Sequence, residues 1–539
     1  MLSYTGLQLR PACHLFDAPS VVGVLAPLTI AALVAFLEVS RFGIHLFLRR
    51  QRNYPKCFQL GDAIVTFLLS VALDDLQHCD YRFRARSPMT TIDRTKLKTL
   101  QTREDSRFLA DHPKSAALYN RAQSSLLDGV PMNWMKKWAG AFPIFVKSAK
   151  GAHFTDVDGR EYIDLCLGDT GAMTGHSPEI VAEAVARRVK EGITFMLPTE
   201  DALWVGEDLQ RRFRLPYWQF TLSATDANRF AIRIAREITQ RSKILVFHYC
   251  YHGTVDESFA RLEYGVVGPR RGNIGPPVNP AETTRVVEFN DLNAFESALK
   301  HHDVACILAE PAMTNVGIIL PDDGYWKSAR ELARRYGSLL IADETHTICA
   351  GPGGCTVEWK LDPDMLVFGK AIGSGIPGAT FGVSEEVAQR IHARIHLEDC
   401  DVGGIGGTLA GNALSLAAMR VTLEHILTPA AFERMIPLAK RFTDGVAENL
   451  RATGLPWNAI RLGARAEYTF AAKPPRNGGE SAAAADFELE RFLHLYALNR
   501  GVLLTPFHNM ALMSPATTEP DIDAHTKIFA SASHELSSR

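Results

Sequence analysis

At 539 residues, 46% hydrophobic and 22% charged with a net charge of −2, the chain is long enough for roughly two to four packed lobes and carries no charge excess suited to nucleic acid or an anionic membrane surface. Nine cysteines lie scattered, with no CxxC pair and no disulfide-dense segment. That excludes a small stapled scaffold and points to a reducing, cytoplasmic compartment.

SVVGVLAPLTIAALVAFL, residues 20–37, carries no charge over about the length of a bilayer span, and Arg41, Arg49, Arg50 and Arg52 follow it. Two readings stand. The run is a signal anchor that brings the protein to a membrane and leaves everything after it on the cytoplasmic side, or residues 1–88 are a disordered or adventitious extension. A second apolar run at 63–73 is too short to span, and a polar, helix-prone start appears at Met89. The expected division is therefore an extension at 1–88, an N-terminal segment at 89–200 that contributes to a small domain and an active-site entrance, a large domain at 201–420, and a small C-terminal domain at 421–539.

From about residue 110, strand and helix patterns alternate. FPIFVKSAKGAHFTDVDGREYIDL (142–165) reads as a hairpin or small meander. SPEIVAEAVARRVKEG is a helix with Ser177 as its cap. WQFTLSA, KILVFH, ACILAEP, LLIADE, MLVFGK and ATFGVS are short apolar runs separated mostly by helix-length segments, and YWKSARELARRYG is a helix closed by Gly337. This pattern predicts an α/β domain whose mainly parallel sheet is covered by helices on both faces. A long helical stretch from about 409 to 453 then leads to a smaller α+β lobe, built with the N-terminal segment.

In an open α/β sheet, ligands bind outside the carboxyl ends of the strands. Those ends carry chemistry. Ser223-Ala224-Thr225 sits immediately before a helix and is suited to phosphate. Tyr251, in YCYHG, is a flat aromatic beside the same crevice. Glu310 ends one strand, with Asn315 past a turn; Asp343 and His346 follow another; Lys370 leads into the glycine-rich AIGSGIPG. A phosphate cradle, an aromatic plate, a carboxylate and an amine together call for pyridoxal 5'-phosphate, which needs a lysine for its carbonyl, an anion beside its ring nitrogen and a face to stack on. His248, Cys250 and His252 alternate along one short segment, which supplies no fourth ligand, so no metal site is expected.

From about Lys114 onward, LSATDAN, CYHG, AEPAMTNVG, LLIADETHT, VFGKAIGSGIPGATFG and GGTLAGNALSLAAM occur in order. In this the chain resembles the class III pyridoxal-phosphate aminotransferases of fold type I, especially the branch containing glutamate-1-semialdehyde aminomutase. The resemblance implies a homodimer with shared active sites and small-molecule amine and carbonyl substrates. It also implies Lys370 as the Schiff-base and proton-transfer residue, and Asp343 as partner of the ring nitrogen. Tyr251 stacks on the ring with His252 beside it, Ser223, Ala224 and Thr225 hold the phosphate, and Thr408 reaches the neighbouring subunit's phosphate. Asn315 and His346 match positions near the ring hydroxyl. Two departures stand out. Ala224 replaces a glycine, which requires a residue outside the positive-φ region, and His346 brings a side chain that ordinarily titrates near neutrality. Trp134 and Trp138, at helical spacing, are either core or the wall of the substrate entrance, and Arg229, Arg461 and Arg465 are candidates for a substrate carboxylate. The implied activity is amino-group transfer between an amino acid or amine and a keto or aldehyde acceptor, with an aminomutase or racemase as the alternative.

Overall fold

In the computed structural model the contacts divide the chain into two units, Met1–Pro88 and Met89–Arg539. The structure describes residues 92–538, so the apolar run at 20–37 lies outside the described residues. Among the described residues no helix is long and apolar enough to cross a membrane.

Seven strands form the central sheet, in the spatial order Tyr217–Thr221, Ala379–Val383, Met365–Phe368, Leu339–Asp343, Val304–Ala309, Lys243–Phe247, Thr284–Val287. Ala379–Val383 runs antiparallel to both neighbours, and the remaining pairings are parallel. Every residue of the four strands Val304–Ala309, Leu339–Asp343, Met365–Phe368 and Ala379–Val383 is buried, which explains their unbroken apolar sequences. Helices return the chain across the faces. The helix Ala224–Thr239 buries Ala227, Ala231, Ile234, Ala235 and Ile238, an i, i+4, i+7 stripe. Tyr325–Tyr336 ends where Gly337, at φ 68°, donates its N–H back to Ala333 and Arg334 carbonyls.

Two smaller sheets lie beside the central one. Asn458–Leu462, Arg465–Thr469 and Met510–Leu512 form an antiparallel sheet. Val146–Lys150, His153–Asp156 and Glu161–Asp164 form a meander to which Val502–Leu503 adds in parallel, Val502 opposite Ile163. The helix Arg94–Asp111, capped by the Asp93 carboxylate, packs against the helix Phe487–Leu498. Its buried Glu104 accepts from Arg500 at 2.9 and 3.1 Å and from the Asn499 amide at 2.9 Å.

Three local expectations differ from the structure. Ser177 does not cap the following helix: it adopts φ 47°, and Glu179–Glu191 starts after Pro178 with no side-chain cap. Trp134 belongs to a short 3-10 turn, Asn133–Lys137, and not to an α-helix; the five residues between Met132 and Trp138 cannot close the turns an amphipathic helix needs. The stretch expected to be helical from about 409 is broken into Ala413–Val421, a π-turn at Thr422–Ile426 and Pro429–Thr453, because Pro429 lacks the N–H that would continue the ladder.

Candidate active site

Because five of the parallel strands point the same way, their carboxyl ends bring Ser223, His252, Glu310, Asp343 and Lys370 to one edge of the sheet. Asp343 closes its strand 3% exposed. Its Oδ2 accepts from Asn228 Nδ2 at 2.8 Å and faces His252 Nδ1 at 2.9 Å, and its Oδ1 accepts from the Thr345 N–H at 3.1 Å. Burial pushes this carboxyl upward, but the hydrogen bond and charge of His252 outweigh it and hold it at about 2. Burial works against the imidazolium of His252 in turn, and Cys250 and Asp343 raise it above its ordinary value. Asp343 is thus a buried, ionised carboxylate.

Glu344, one residue on, has a different task. It accepts from the Cys355 and Thr356 N–H groups at 3.1 and 2.5 Å and from the Thr347 and Thr356 hydroxyls, pinning the Gly-Pro-Gly-Gly turn. Glu310 receives the Thr314 hydroxyl, and burial lifts its carboxyl to about 7 against the opposing influence of His252.

Lys370 is half-buried at φ 50°. Its Nζ lies 3.0 Å from both the backbone oxygen and Oδ2 of Asp169, and 2.9 Å from His346 Nε2. His346 Nδ1 faces Thr170 Oγ1 at 3.0 Å and Arg465 Nη1 at 3.2 Å. Burial and the Lys370 charge push His346 down to about 3. Asp169 opposes that trend and is itself held well below the carboxylate range: burial raises it, and Lys370, His346 and Arg465 overcome the rise.

Asp169 and its loop escaped the sequence reading. Leu167, Gly168, Asp169 and Thr170 take φ values of 46, 58, 48 and 83° in succession. For side-chain-bearing residues this conformation is strained by roughly 1–3 kcal/mol each, a mark of functional loops. The available signal was the GDTG tetrapeptide directly after a predicted strand.

The helix start is also built. Ser223 caps it by accepting from Asp226 N–H at 3.2 Å and donating to Asp226 Oδ2 at 2.8 Å. Helix geometry leaves the Ala224 and Thr225 N–H groups without intrahelical partners. Ala224 is absent from the positive-φ residues, which is why it can stand where relatives of the motif carry glycine. Thr225 Oγ1 accepts from the Thr254 N–H at 3.1 Å. Tyr251 stands partly exposed beside this loop, edge-on to Phe259 at 6.3 Å.

Asn315 donates to the Tyr249 carbonyl at 2.9 Å, and Arg229 to the Thr254 carbonyl at 2.7 Å from an exposed position. Thr408 and Arg461 are exposed. Trp134 packs edge-on against Phe507 at 6.3 Å, and Trp138 lines an apolar cavity with Phe142, Ile144, Phe154 and Leu503. Arg465, in contrast, is fully buried beside His346.

These residues fit pyridoxal phosphate on two structural grounds. Three donors occupy three of the roughly four lone-pair positions of the Asp343 carboxylate, leaving one acceptor position for a ring N–H. At the helix start, a methyl carbon on Gly253 would lie 2.0 Å from Thr225 Oγ1, and one on Gly369 would lie 2.9 Å from the Ala224 methyl, so both glycines keep the anion cradle clear. Lys370 supplies the amine for the aldehyde.

Comparison with known proteins agrees. The family profile for aminotransferase class-III matches residues 134–532. A protein from Anaeromyxobacter sp. (strain Fw109-5) described as glutamate-1-semialdehyde 2,1-aminomutase is 33% identical over 423 residues, 76% of this chain and 95% of that protein. Crystal structures of a glutamate-1-semialdehyde-aminomutase from Pseudomonas aeruginosa PAO1, one of them a lysine-to-alanine variant in complex with PMP, share 49% identity at a TM-score of 0.81, covering 83% of this chain and 100% of theirs. An omega-transaminase from Sphaerobacter thermophilus shares 27% identity at a TM-score of 0.71, covering 78% of this chain and 97% of its own. The match runs through every strand end described above and spans these relatives almost end to end: the chain belongs to the class III aminotransferases, and the coenzyme its crevice fits is the one that family uses.

Proposed function

We propose that the protein moves an amino group from an amino acid or amine to a keto or aldehyde acceptor in two half-reactions. The observation that carries this reading is a reactive-position amine, Lys370, and a buried ionised carboxylate, Asp343, on adjoining strand ends beside a helix start. Bound pyridoxal phosphate supplies an electrophilic carbon for amines and a ring that accepts the electrons released when a substrate carbon loses its proton. Lys370 would hold the coenzyme and, once displaced by substrate, carry the proton between the two carbons; Asp169 and His346 keep its Nζ in place meanwhile. Asp343, kept ionised by His252, holds the proton on the ring nitrogen. Ala224 and Thr225 bind phosphate through backbone N–H groups, and Tyr251 covers a ring face.

A second copy completes the site in this reading, bringing its Thr408 to the phosphate; the exposed Thr408 and the half-exposed Leu409 beside it support an interface there. Cys166, Cys250, Cys306, Cys349 and Cys355 are buried free thiols, which supports a cytoplasmic setting.

The descriptions of the Anaeromyxobacter and Pseudomonas relatives favour a second reading, an intramolecular aminomutase. One experiment separates the two. Loaded enzyme is mixed with a single amino compound and no acceptor: a transaminase stops after one coenzyme equivalent, whereas an aminomutase or racemase carries the compound to equilibrium. Borohydride treatment that adds no coenzyme mass to the peptide containing Lys370 would overturn both.

A further inference from the structure

Arg465 opens the strand Arg465–Thr469, paired with Leu462 on one side and Leu512 on the other, and its side chain is buried. Its guanidinium, always charged, donates from Nη1 to His346 Nδ1 at 3.2 Å. Nη2 lies 3.7 Å from Asp169 Oδ1, too far to hydrogen-bond, and among the described residues neither Nη2 nor Nε has a hydrogen-bond partner. At the ring's other nitrogen, His346 Nε2 lies 2.9 Å from Lys370 Nζ, whose remaining contacts are the backbone oxygen and Oδ2 of Asp169, each at 3.0 Å.

Burial keeps this imidazole uncharged, so one of its nitrogens carries a hydrogen and the other a lone pair. Around Nδ1 stand Thr170 Oγ1 at 3.0 Å, Arg465 Nη1 at 3.2 Å and, beyond hydrogen-bonding reach, Asp169 Oδ1 at 3.6 Å. The Thr170 hydroxyl can donate or accept and suits either form of the ring; a guanidinium only donates. A hydrogen on Nδ1 would therefore take away the acceptor that Arg465 has and strand all three nitrogens of a buried cation. The loss would be of a charge-assisted bond, roughly twice as strong as a neutral one. The lone pair thus belongs on Nδ1 and the hydrogen on Nε2, aimed at Lys370. There it needs a lone pair to meet, which an ammonium lacks and an uncharged amine has. Such an amine accounts for every contact of Nζ, its two hydrogens given to Asp169 and one received from His346. A charged Lys370 opposes the ring, as its effect on His346 shows, and loss of the amine's extra proton relieves that opposition. Charge count agrees, since Asp169, the carboxylate touching this group, already has Arg465 to balance it.

We propose that Arg465 is a positioning residue acting through His346: it locks the ring hydrogen on Nε2, from which it is donated to Lys370 and favours the proton-free amine whenever the coenzyme does not hold that side chain. This rests on the pyridoxal-phosphate reading above and assigns a new residue to its proton-transfer step. In that step the lone pair of the amine takes a proton from one carbon, and the ammonium so formed gives the same proton to the second carbon. Lys370 starts the step only without a proton of its own, and a ring hydrogen facing it presses the acquired proton onward.

The test uses the full-length protein loaded with pyridoxamine phosphate, the amine form of the coenzyme, to which Lys370 is not bonded, with nitrogen-15 in its histidines. Nitrogen NMR tells a hydrogen-bearing ring nitrogen from one with a lone pair, and the His346 signals are those missing from His346→Gln. A hydrogen on Nε2 is expected; a hydrogen on Nδ1, on both nitrogens or exchanging between them overturns the proposal. In Arg465→Met the hydrogen should shift toward Nδ1, and in Arg465→Lys, which keeps a donor, it should stay on Nε2. A ring unchanged in Arg465→Met overturns the role of Arg465. The second readout is the rate at which trace acetic anhydride acetylates Lys370, followed by peptide mass. His346→Leu should slow it about tenfold, the scale of one hydrogen bond. His346→Gln, whose amide can accept from Arg465 and donate to Lys370, should keep the rate within about twofold of wild type. Equal rates in all three proteins overturn the proposal. Should Arg465→Met or His346→Leu fail to hold coenzyme, the ring form in the unmodified protein and the rate in His346→Gln decide. Borohydride fixation of pyridoxal phosphate on Lys370 in a parallel sample separates these results from a failure of the functional reading itself.

Discussion

Gly253→Ala probes whether the loop after the strand Lys243–Phe247 and the start of the Ala224–Thr239 helix form one cradle. Gly253 adopts φ +76°, where an L-residue costs roughly 1–2 kcal/mol. The new methyl would also sit 2.0 Å from Thr225 Oγ1 and 3.0 Å from Thr225 Cβ. The hydroxyl must therefore rotate away and give up the 3.1 Å bond from the Thr254 N–H, a further ~0.5–1.5 kcal/mol. Expressed at the phosphate site, a total of about 1.5–3.5 kcal/mol weakens coenzyme binding by roughly ten- to three-hundredfold. The assay is a fluorescence titration of coenzyme into the stripped protein, with thermal unfolding of the coenzyme-free form to measure the share lost to folding. Thr225→Ala removes the clashing oxygen, so the double variant should lose less than the sum of the two single variants. Wild-type affinity in Gly253→Ala, or strict additivity in the double variant, would refute the cradle.

Glu344→Ala should lower folding stability by about 3 kcal/mol, because it strands the Cys355 and Thr356 N–H groups in the interior, while coenzyme stoichiometry stays at one per chain; denaturant midpoints with and without coenzyme check this. Glu310, with its carboxyl raised from 4.5 to about 7, binds a proton more readily folded than unfolded. Stability from this group is therefore greatest below about pH 4.5 and declines as pH rises to about 7, and Glu310→Gln should flatten that slope in unfolding curves across the window. Glu104→Ala leaves Arg500 without its buried partner and should cost about 3–5 kcal/mol, read as earlier proteolysis of the Arg94–Asp111 helix.

The α/β core was legible because its signals are local: apolar runs of strand length, a helix ended by Gly337, and chemistry placed at strand ends. Asp343 and Lys370 could be picked out for the same reason, each following directly on an apolar run. Arg465 and Asp169 could not be paired from sequence. They lie almost three hundred residues apart, on a strand of the C-terminal lobe and on a loop of the N-terminal segment, and only tertiary packing brings them within 3.7 Å. Arg229, a candidate on equal terms with Arg465, sits on the outer face of its helix, and helical periodicity alone did not say which face met the crevice. Ser177 had the chemistry of a cap, yet the Pro178 that follows took the capping position.

The parallel pairing of Val502 with Ile163 has a consequence for biosynthesis. Glu161–Asp164 is the strand that leads into the Asp169 loop, and it acquires its outer neighbour only after more than three hundred further residues have been translated. A ribosome-bound chain can complete its central sheet, and expose Lys370, well before the loop that flanks this amine is buttressed. A settled geometry around the Lys370 amine should therefore follow the central sheet in time, and chains clipped near Val502 should take up coenzyme while their Asp169 loop is cut faster by protease.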